Sequence, residues 1–174
     1  AVALAAIGRI GAIAIPISTL IKANELIRVL RQSDIGGLIV QRTMLGHDLV
    51  ERLCDALPAL RDQGPSLRLA EAPYLRWIVS NGPNLPSGIE DRAILISEAA
   101  SVSENILLAV EAEVYPTDQL IEIYTSGSMA LPKGVKHLHG PVMFRAEYLR
   151  AMLGIERSAE IAAFLPMFWV GGLM

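Results

Sequence analysis

Within one dozen residues, Tyr124-Thr125-Ser126-Gly127-Ser128-Met129-Ala130-Leu131-Pro132-Lys133-Gly134-Val135, the chain collects three Ser/Thr hydroxyls, two glycines, a proline and a lysine. A strand-like, mostly apolar run, Leu120 to Tyr124, leads directly into it. Hydroxyls and exposed backbone N–H groups on a glycine-containing loop can surround the oxygens of a polyphosphate, and a lysine adds a mobile positive charge. The chemistry to expect is capture of a nucleotide's phosphates. Spacing excludes two common phosphate loops. The Walker loop needs glycine, four residues, then Gly-Lys-Ser/Thr, whereas here Gly127 is followed by Lys133 with Pro132 before it and Gly134 after it. The dinucleotide fingerprint needs G-x-G-x-x-G opening a helix after a strand, and no such run occurs.

The segment resembles the signature loop of the adenylate-forming superfamily, which includes acyl-CoA synthetases, luciferases and the adenylation domains of nonribosomal peptide synthetases. Those enzymes carry a segment close to Tyr-Thr-Ser-Gly-Ser/Thr-Thr-Gly-x-Pro-Lys-Gly-Val. Ten of the twelve positions here fit it, counting the variable one at Leu131. Weaker similarities follow in the family's order. Gly8 to Ser18 resembles its helix-to-strand passage, and Glu25 to Asp34 the helix after that. Pro116-Thr117-Asp118 leads into the strand before the loop, and His137-Leu138-His139-Gly140 stands where the family often has a Thr-His pair. Leu165-Pro166-Met167-Phe168-Trp169-Val170-Gly171-Gly172-Leu173 resembles the Pro-Leu-Phe-His/Trp-x-x-Gly segment of acyl-CoA ligases.

That resemblance implies an enzyme that activates a carboxylic acid, fatty or aromatic, through ATP to an acyl-adenylate and then to a thioester with coenzyme A. Thr125, Ser126, Gly127 and Ser128 would give hydroxyl and backbone donors to the β- and γ-phosphates. Lys133 would neutralise charge or steady the loop, and Gly134 would allow a tight exit. Trp169 has two readings: a wall of the acyl pocket, or a core tryptophan before a Gly-Gly turn. Mg²⁺ is implied as well, bound by phosphate oxygens and one or two carboxylates. The family's glutamate for it, and its catalytic residues, are expected downstream of residue 174. Two positions depart from the pattern: Met129 replaces a usual threonine, removing a phosphate-facing hydroxyl, and Ala130 replaces a usual glycine. Were position 130 left-handed, alanine would cost roughly 1–2 kcal/mol there. A different adenylate-former (amino-acid-activating or luciferase-like) and a non-catalytic nucleotide-binding or interaction module with a decayed loop therefore stay open.

The elements around the loop must hold it rigidly. Alternating strand-like and helical stretches predict an α/β fold with a mostly parallel sheet flanked by helices. The resemblance makes residues 1–174 part of the large N-terminal domain, truncated at both ends. A helix is expected over residues 1–10 and a short buried strand from Ala12 to Ile17. Lys22 to Gln32 has helical spacing, with Leu26, Ile27, Val29 and Leu30 set against Glu25, Arg28 and Arg31. Strands follow at Leu38 to Val40 and Trp77 to Val79, the latter closed by Asn81-Gly82-Pro83-Asn84. His47 to Leu57 reads as a helix stopped by Pro58, and residues 61–73 as loop. Residues 90–112 are helical in part, with Ser97, Ser101 and Ser103 against one continuous helix. Val135 to His137 is a return strand, Pro141 to Leu153 a helix and Ile161 to Leu165 a last strand.

Composition narrows the classes further. A chain of 174 residues suffices for one domain with a sizeable core, and few aromatics among many Ala, Ile, Leu and Val suit helices on a buried sheet. The net charge of −3, with no Lys/Arg run interleaved with aromatics, argues against a nucleic-acid surface. The first 21 residues are nearly all apolar, but Arg9 costs about 2.5–3.5 kcal/mol inside a bilayer and Pro16 breaks the run, so a buried helix and strand are expected rather than a transmembrane segment. Cys54 is the only cysteine, so a reducing, cytoplasmic location is expected. His137 and His139 would share a strand face, but no third ligand stands at metal spacing. Glu111 and Glu113 read as a solvated helix end. An isolated piece of such a sheet should expose apolar surface and dissolve poorly. Oligomeric state is not legible in the residues.

Overall fold

The computed structural model describes residues 1–125, 132–160 and 165–172. In chain order the described elements are α1 (Val2–Arg9), α2 (Ala23–Gln32), β1 (Gly37–Val40), β2 (Thr43–Met44), β3 (His47–Asp48), α3 (Leu49–Ala56), β4 (Trp77–Ser80), β5 (Glu90–Asp91), α4 (Ala93–Ala99), α5 (Glu104–Ala112), β6 (Gln119–Thr125), β7 (Lys133–Leu138) and α6 (His139–Met152). Short 3-10 turns occupy Pro58–Arg61 and Val170–Gly172. The chain divides into two compact units, Ser18–Val102 and Ala1–Ile17 with Ser103–Met174.

The unit Ser18–Val102 is built on a parallel sheet ordered β1-β4-β5, with Gly37 opposite Trp77 and Val79 opposite Glu90. Every α2 position expected to face the core does so except Ile27, which is half-buried: Leu26, Val29 and Leu30 are buried. The helix starts where the Glu25 carboxylate accepts the Lys22 N–H (3.2 Å), and ends at Asp34, whose backbone is left-handed (φ 48°). The expected helix over His47 to Leu57 begins later. Leu45 and Gly46 turn the chain with positive φ, so His47 and Asp48 pair with Thr43 and Met44 as a small hairpin. Asp48 then caps α3, accepting the Glu51 N–H at 2.9 Å. Pro58 opens a 3-10 turn rather than merely stopping the helix. Gly37 meets Trp77 across the sheet: a Cβ there would lie 2.0 Å from the indole ring. Arg42 secures the Asn81–Asn84 turn, bonding the Pro83 carbonyl at 2.7 Å while its own N–H reaches Asn81.

This unit holds most of the buried apolar residues, among them Val50, Leu53, Leu57, Leu60, Leu67, Leu75 and Ile78. Arg61 pairs with Glu51, and that bond holds the Glu51 carboxyl below the usual carboxylate range. Its stabilisation is present at neutral pH and is lost as pH falls through the lowered value.

The second unit is thinner. Its buried core is Ala14, Ile121 and Ile123, with Leu4, Ile7 and Leu120 packed against it. The expected strand from Ala12 to Ile17 contracts to one parallel bridge. The Ala14 N–H donates to Leu120 O (3.0 Å), and Ala14 O accepts from the Glu122 N–H (2.9 Å). Gly11 is left-handed on one side of it (φ 69°), and Pro16 on the other has no N–H to donate. As expected, residues 90–112 are helical only in part and form no single helix: Glu90–Asp91 is strand, α4 ends at Ala99, and Ser103 caps α5 by accepting the Ile106 N–H. Neither α5 nor α6 buries a residue fully, and Phe144 stays 74% exposed. The helix expected from Pro141 starts two residues earlier, because proline fits a first turn whose N–H groups need no partner. The strand expected at Ile161 to Leu165 lies outside the described residues except for Leu165, which is a bend. Among the described residues no single helix is long and apolar enough to cross a membrane.

Truncating Leu60, which is 0% exposed, to alanine is expected to cost about 2–5 kcal/mol in urea unfolding. Cys54 is buried, and that burial pushes its thiol pKa up. At pH 8 it should resist alkylation in the native protein and react once Leu60→Ala is unfolded in urea; fast labelling of the native thiol would contradict this core.

Candidate phosphate-loop site

The β6 strand has the β-branched and aromatic content that suits a pleated surface. Ile121 and Ile123 face Ala14 on one side, which fixes which residues alternate to the other. Its antiparallel pairing with β7 runs from Ile121–His137 through Glu122–Lys136, Ile123–Val135 and Tyr124–Gly134 to Thr125–Lys133. The last pair closes the hairpin around residues 126–132. The structure thus brings Thr125 and Lys133 together at the loop's base, both exposed, with the Thr125 hydroxyl 3.4 Å from the Lys133 carbonyl. Among the described residues no ion pair engages Lys133. Ser126, Gly127, Ser128, Met129 and Ala130 lie outside the described residues, as does Leu131.

A backbone knot holds the other end of the hairpin. The Tyr115 N–H donates to the Asp118 carboxylate (2.8 Å). The His139 N–H donates to the Asp118 carbonyl (3.0 Å), and the Gly140 N–H to the Pro116 carbonyl (2.8 Å). The start of β6, the end of β7 and the first turn of α6 are therefore tied to one tetrapeptide. This gives Pro116-Thr117-Asp118 a physical role that its place before the strand only hinted at.

Other sequence-derived residues separate from the loop. His137 lies on β7 but His139 opens α6, so they share no strand, and the Nε2 atom of each is buried without a hydrogen-bond partner. Glu111 is not a solvated helix end: its carboxylate pairs with Arg9, the charge that made the N-terminal run unsuitable for a bilayer. Among the described residues no three His, Cys, Asp or Glu side chains gather as a metal site. Trp169 is 53% exposed and meets Phe168 edge-on at 5.6 Å, so it is not enclosed as a core tryptophan. Its backbone N–H donates to the Pro166 carbonyl (3.0 Å), and its carbonyl accepts the Gly172 N–H (3.0 Å).

Sequence reasoning missed Glu122. It is only 9% exposed, and it lies on the same face as its cross-strand neighbour Lys136 and as Gly134. Gly134 is not simply a tight exit. It is paired within β7, and a Cβ built on it would come 1.8 Å from Glu122 Oε1. An acid inside the mostly apolar run Leu120 to Tyr124, two register steps from a glycine, was the available signal.

The pattern of the AMP-binding enzyme family matches residues 1–174, and the chain belongs to that family. It is 26% identical over 168 residues to YngI of Bacillus subtilis (strain 168), whose name places it with the acyl-CoA synthetases; the match covers 94% of this chain and 30% of that protein. It is 29% identical over 106 residues to the benzoate–CoA ligase of Thauera aromatica, covering 60% of this chain and 18% of that one. Among solved structures, the anthranilate CoA ligase AuaEII bound to anthranoyl-AMP superposes with a TM-score of 0.59 at 25% identity, over 79% of this chain and 22% of that chain. A long-chain-fatty-acid-CoA ligase (FadD1) from Archaeoglobus fulgidus shares the fold, with a TM-score of 0.58 at 21% identity over 95% of this chain and 28% of that one. The chain spans about a third or less of the length of these relatives. The α/β fold with a parallel sheet flanked by helices is that of the N-terminal domains of adenylate-forming enzymes.

The Asp118 knot gives a local test. Asp118→Ala removes the acceptor of the Tyr115 N–H at an exposed position and should cost about 1 kcal/mol, with faster hydrogen exchange at the Tyr115 amide. Asp118→Asn keeps an acceptor oxygen and should retain most of the protection; equal exchange in both variants would contradict the knot.

Proposed function

We propose that this chain supplies the phosphate loop of an ATP-dependent carboxylate–CoA ligase acting on a fatty or aromatic acid. The observation that carries the reading is the closure of the β6–β7 hairpin on Thr125 and Lys133, a hydroxyl residue and a lysine with no ion-pair partner among the described residues, at the two ends of the segment whose sequence holds Ser126-Gly127-Ser128. Residues 1–174 are read as part of such an enzyme's N-terminal domain. Similarity to proteins named for benzoate, anthranilate and acyl substrates supports the acid class. The same resemblance supports a cytoplasmic enzyme working on ATP and coenzyme A.

In this reaction a carboxylate oxygen attacks the α-phosphorus of ATP, and the bond to the bridging oxygen of pyrophosphate breaks. The products are the acyl-adenylate and pyrophosphate. A thiol sulfur of coenzyme A then attacks the acyl carbon, AMP leaves and the thioester forms. Negative charge grows on the departing pyrophosphate, so preformed donors aimed at the β- and γ-phosphates lower the barrier. Thr125 would offer its hydroxyl, Ser126, Gly127 and Ser128 hydroxyl and backbone donors, and Lys133 a compact positive charge. Fixing Thr125 and Lys133 on paired strands would help to keep the α-phosphate facing the acid. Mg²⁺ would add charge neutralisation on the phosphates, but no described residue of this chain is assigned to it. Trp169, exposed near the end of the described chain, is proposed to border the acyl group.

Met129 and Ala130 support a second reading, a nucleotide-binding module whose loop has lost the strength needed for turnover. Acid-dependent exchange of labelled pyrophosphate into ATP by the intact protein that carries this sequence separates the two. The ligase reading expects exchange, lowered about 100-fold or more by Lys133→Ala and raised by the double substitution Met129→Thr with Ala130→Gly. No exchange with any fatty or aromatic acid, in either form of the loop, would contradict it and leave binding alone.

A further inference from the structure

We infer that Glu122 and Gly134 form a register lock that sets the span of the phosphate loop, making Glu122 a positioning residue for that loop. The inference rests on the phosphate-loop reading above and adds to it a residue that touches no phosphate. Antiparallel pairing repeats every two residues, so a hairpin with a long loop can slide by two without exchanging its faces. In the observed register Thr125 meets Lys133 and the loop spans residues 126–132. A two-residue slip would pair Thr125 with Val135 and draw Lys133 and Gly134 into a longer loop. The opposite slip would pair Thr125 with residue 131 and shorten the loop.

Glu122 discriminates among these registers. Its carboxylate, 9% exposed, lies against Gly134 so closely that a Cβ there would sit 1.8 Å from Oε1 and 2.7 Å from Cδ. The only side-chain-free position on that face of β7 is Gly134, flanked there by Lys136 and Pro132. In the longer register Glu122 would stand opposite Leu138, with the Lys136 side chain where Gly134 had left space. In the shorter one it would stand opposite Gly134, with Pro132 in that place. A buried carboxylate fits only the observed arrangement, where Lys136 is its opposite-charge cross-strand neighbour and the Gln119 amide approaches its other oxygen at 3.5 Å. Burying a polar group to specify one register at some cost in stability is a known use of such residues. The rung beside the lock is Thr125–Lys133, so an error at Gly134 displaces the lysine directly.

Charge alone predicts the opposite of positioning, and this makes the two separable. Glu122 stands three residues from Thr125, about 10 Å along the strand. Removing its negative charge would by itself favour a bound polyphosphate slightly. A loss of ATP affinity on removing Glu122 therefore reports lost positioning.

The test is a double-mutant cycle read by ATP dissociation constants on the intact protein, with thermal unfolding alongside. Glu122→Gln keeps the shape and should bind ATP within about two-fold of the parent, whereas Glu122→Ala should bind about ten-fold more weakly. Gly134→Ala should weaken ATP at least as much. The double variant Glu122→Ala with Gly134→Ala should be no worse than Glu122→Ala alone, because the methyl group then has no carboxylate to displace. Unchanged affinity in Glu122→Ala, or losses that multiply in the double variant, would overturn the lock while leaving the phosphate-loop reading intact. A parent protein that binds no ATP would overturn both. If Glu122→Gln fails as badly as Glu122→Ala, shape is not what Glu122 supplies, and the lock is again overturned.

Discussion

The pairing of β6 with β7 is the constraint on which the rest of the site depends. One antiparallel ladder carries the Thr125–Lys133 rung at one end and meets the Asp118 knot at the other. Between them, Ile121 and Ile123 anchor the strand to Ala14, and the Ala14 backbone uses both its donor and its acceptor on β6. On the proposed reading the loop would hold a nucleotide's phosphates, and that needs a rigid base, since each donor contributes only if it is already aimed. The hairpin meets that need with backbone hydrogen bonds, which are insensitive to the identity of most side chains.

The two units differ in how they achieve rigidity. Ser18–Val102 is a packed layer, with helices on a parallel sheet and a continuous set of buried leucines and valines. The unit that carries the loop has a small core and leans on hydrogen bonds and close glycine contacts instead. Gly134 admits a carboxylate and Gly140 lies 3.0 Å, measured from a built Cβ, from the Pro116 carbonyl. A methyl group at either position would force a neighbour to move, the Glu122 carboxylate at Gly134 and the Pro116 backbone at Gly140.

Much of this was legible in the residues. The strands that flank the loop were readable because an apolar run on one side of Thr-Ser-Gly-Ser met a return strand after Pro-Lys-Gly on the other. The helix from Ala23 to Gln32 followed from its apolar spacing. What escaped depended on tertiary pairing. Ala12 to Ile17 looks apolar enough for a strand, but Gly11 and Pro16 leave only Ala14 able to bridge. His47 and Asp48 read as helix because the left-handed turn at Leu45-Gly46 carries only a weak local signal. Glu111 looked solvated until folding brought Arg9 beside it, a partner about a hundred residues away in sequence. Glu122 was invisible for the same reason: its significance exists only once the cross-strand register is known.

The central claim is that this hairpin presents its loop to a nucleotide's phosphates. Trypsin cleavage after Lys133, followed by mass spectrometry of the intact protein with and without ATP, tests it most directly, because the cut falls on the rung that closes the loop. The account predicts that saturating ATP slows this cut selectively, with cleavage after the exposed Arg157 unchanged. Equal rates after Lys133 with and without ATP would contradict it.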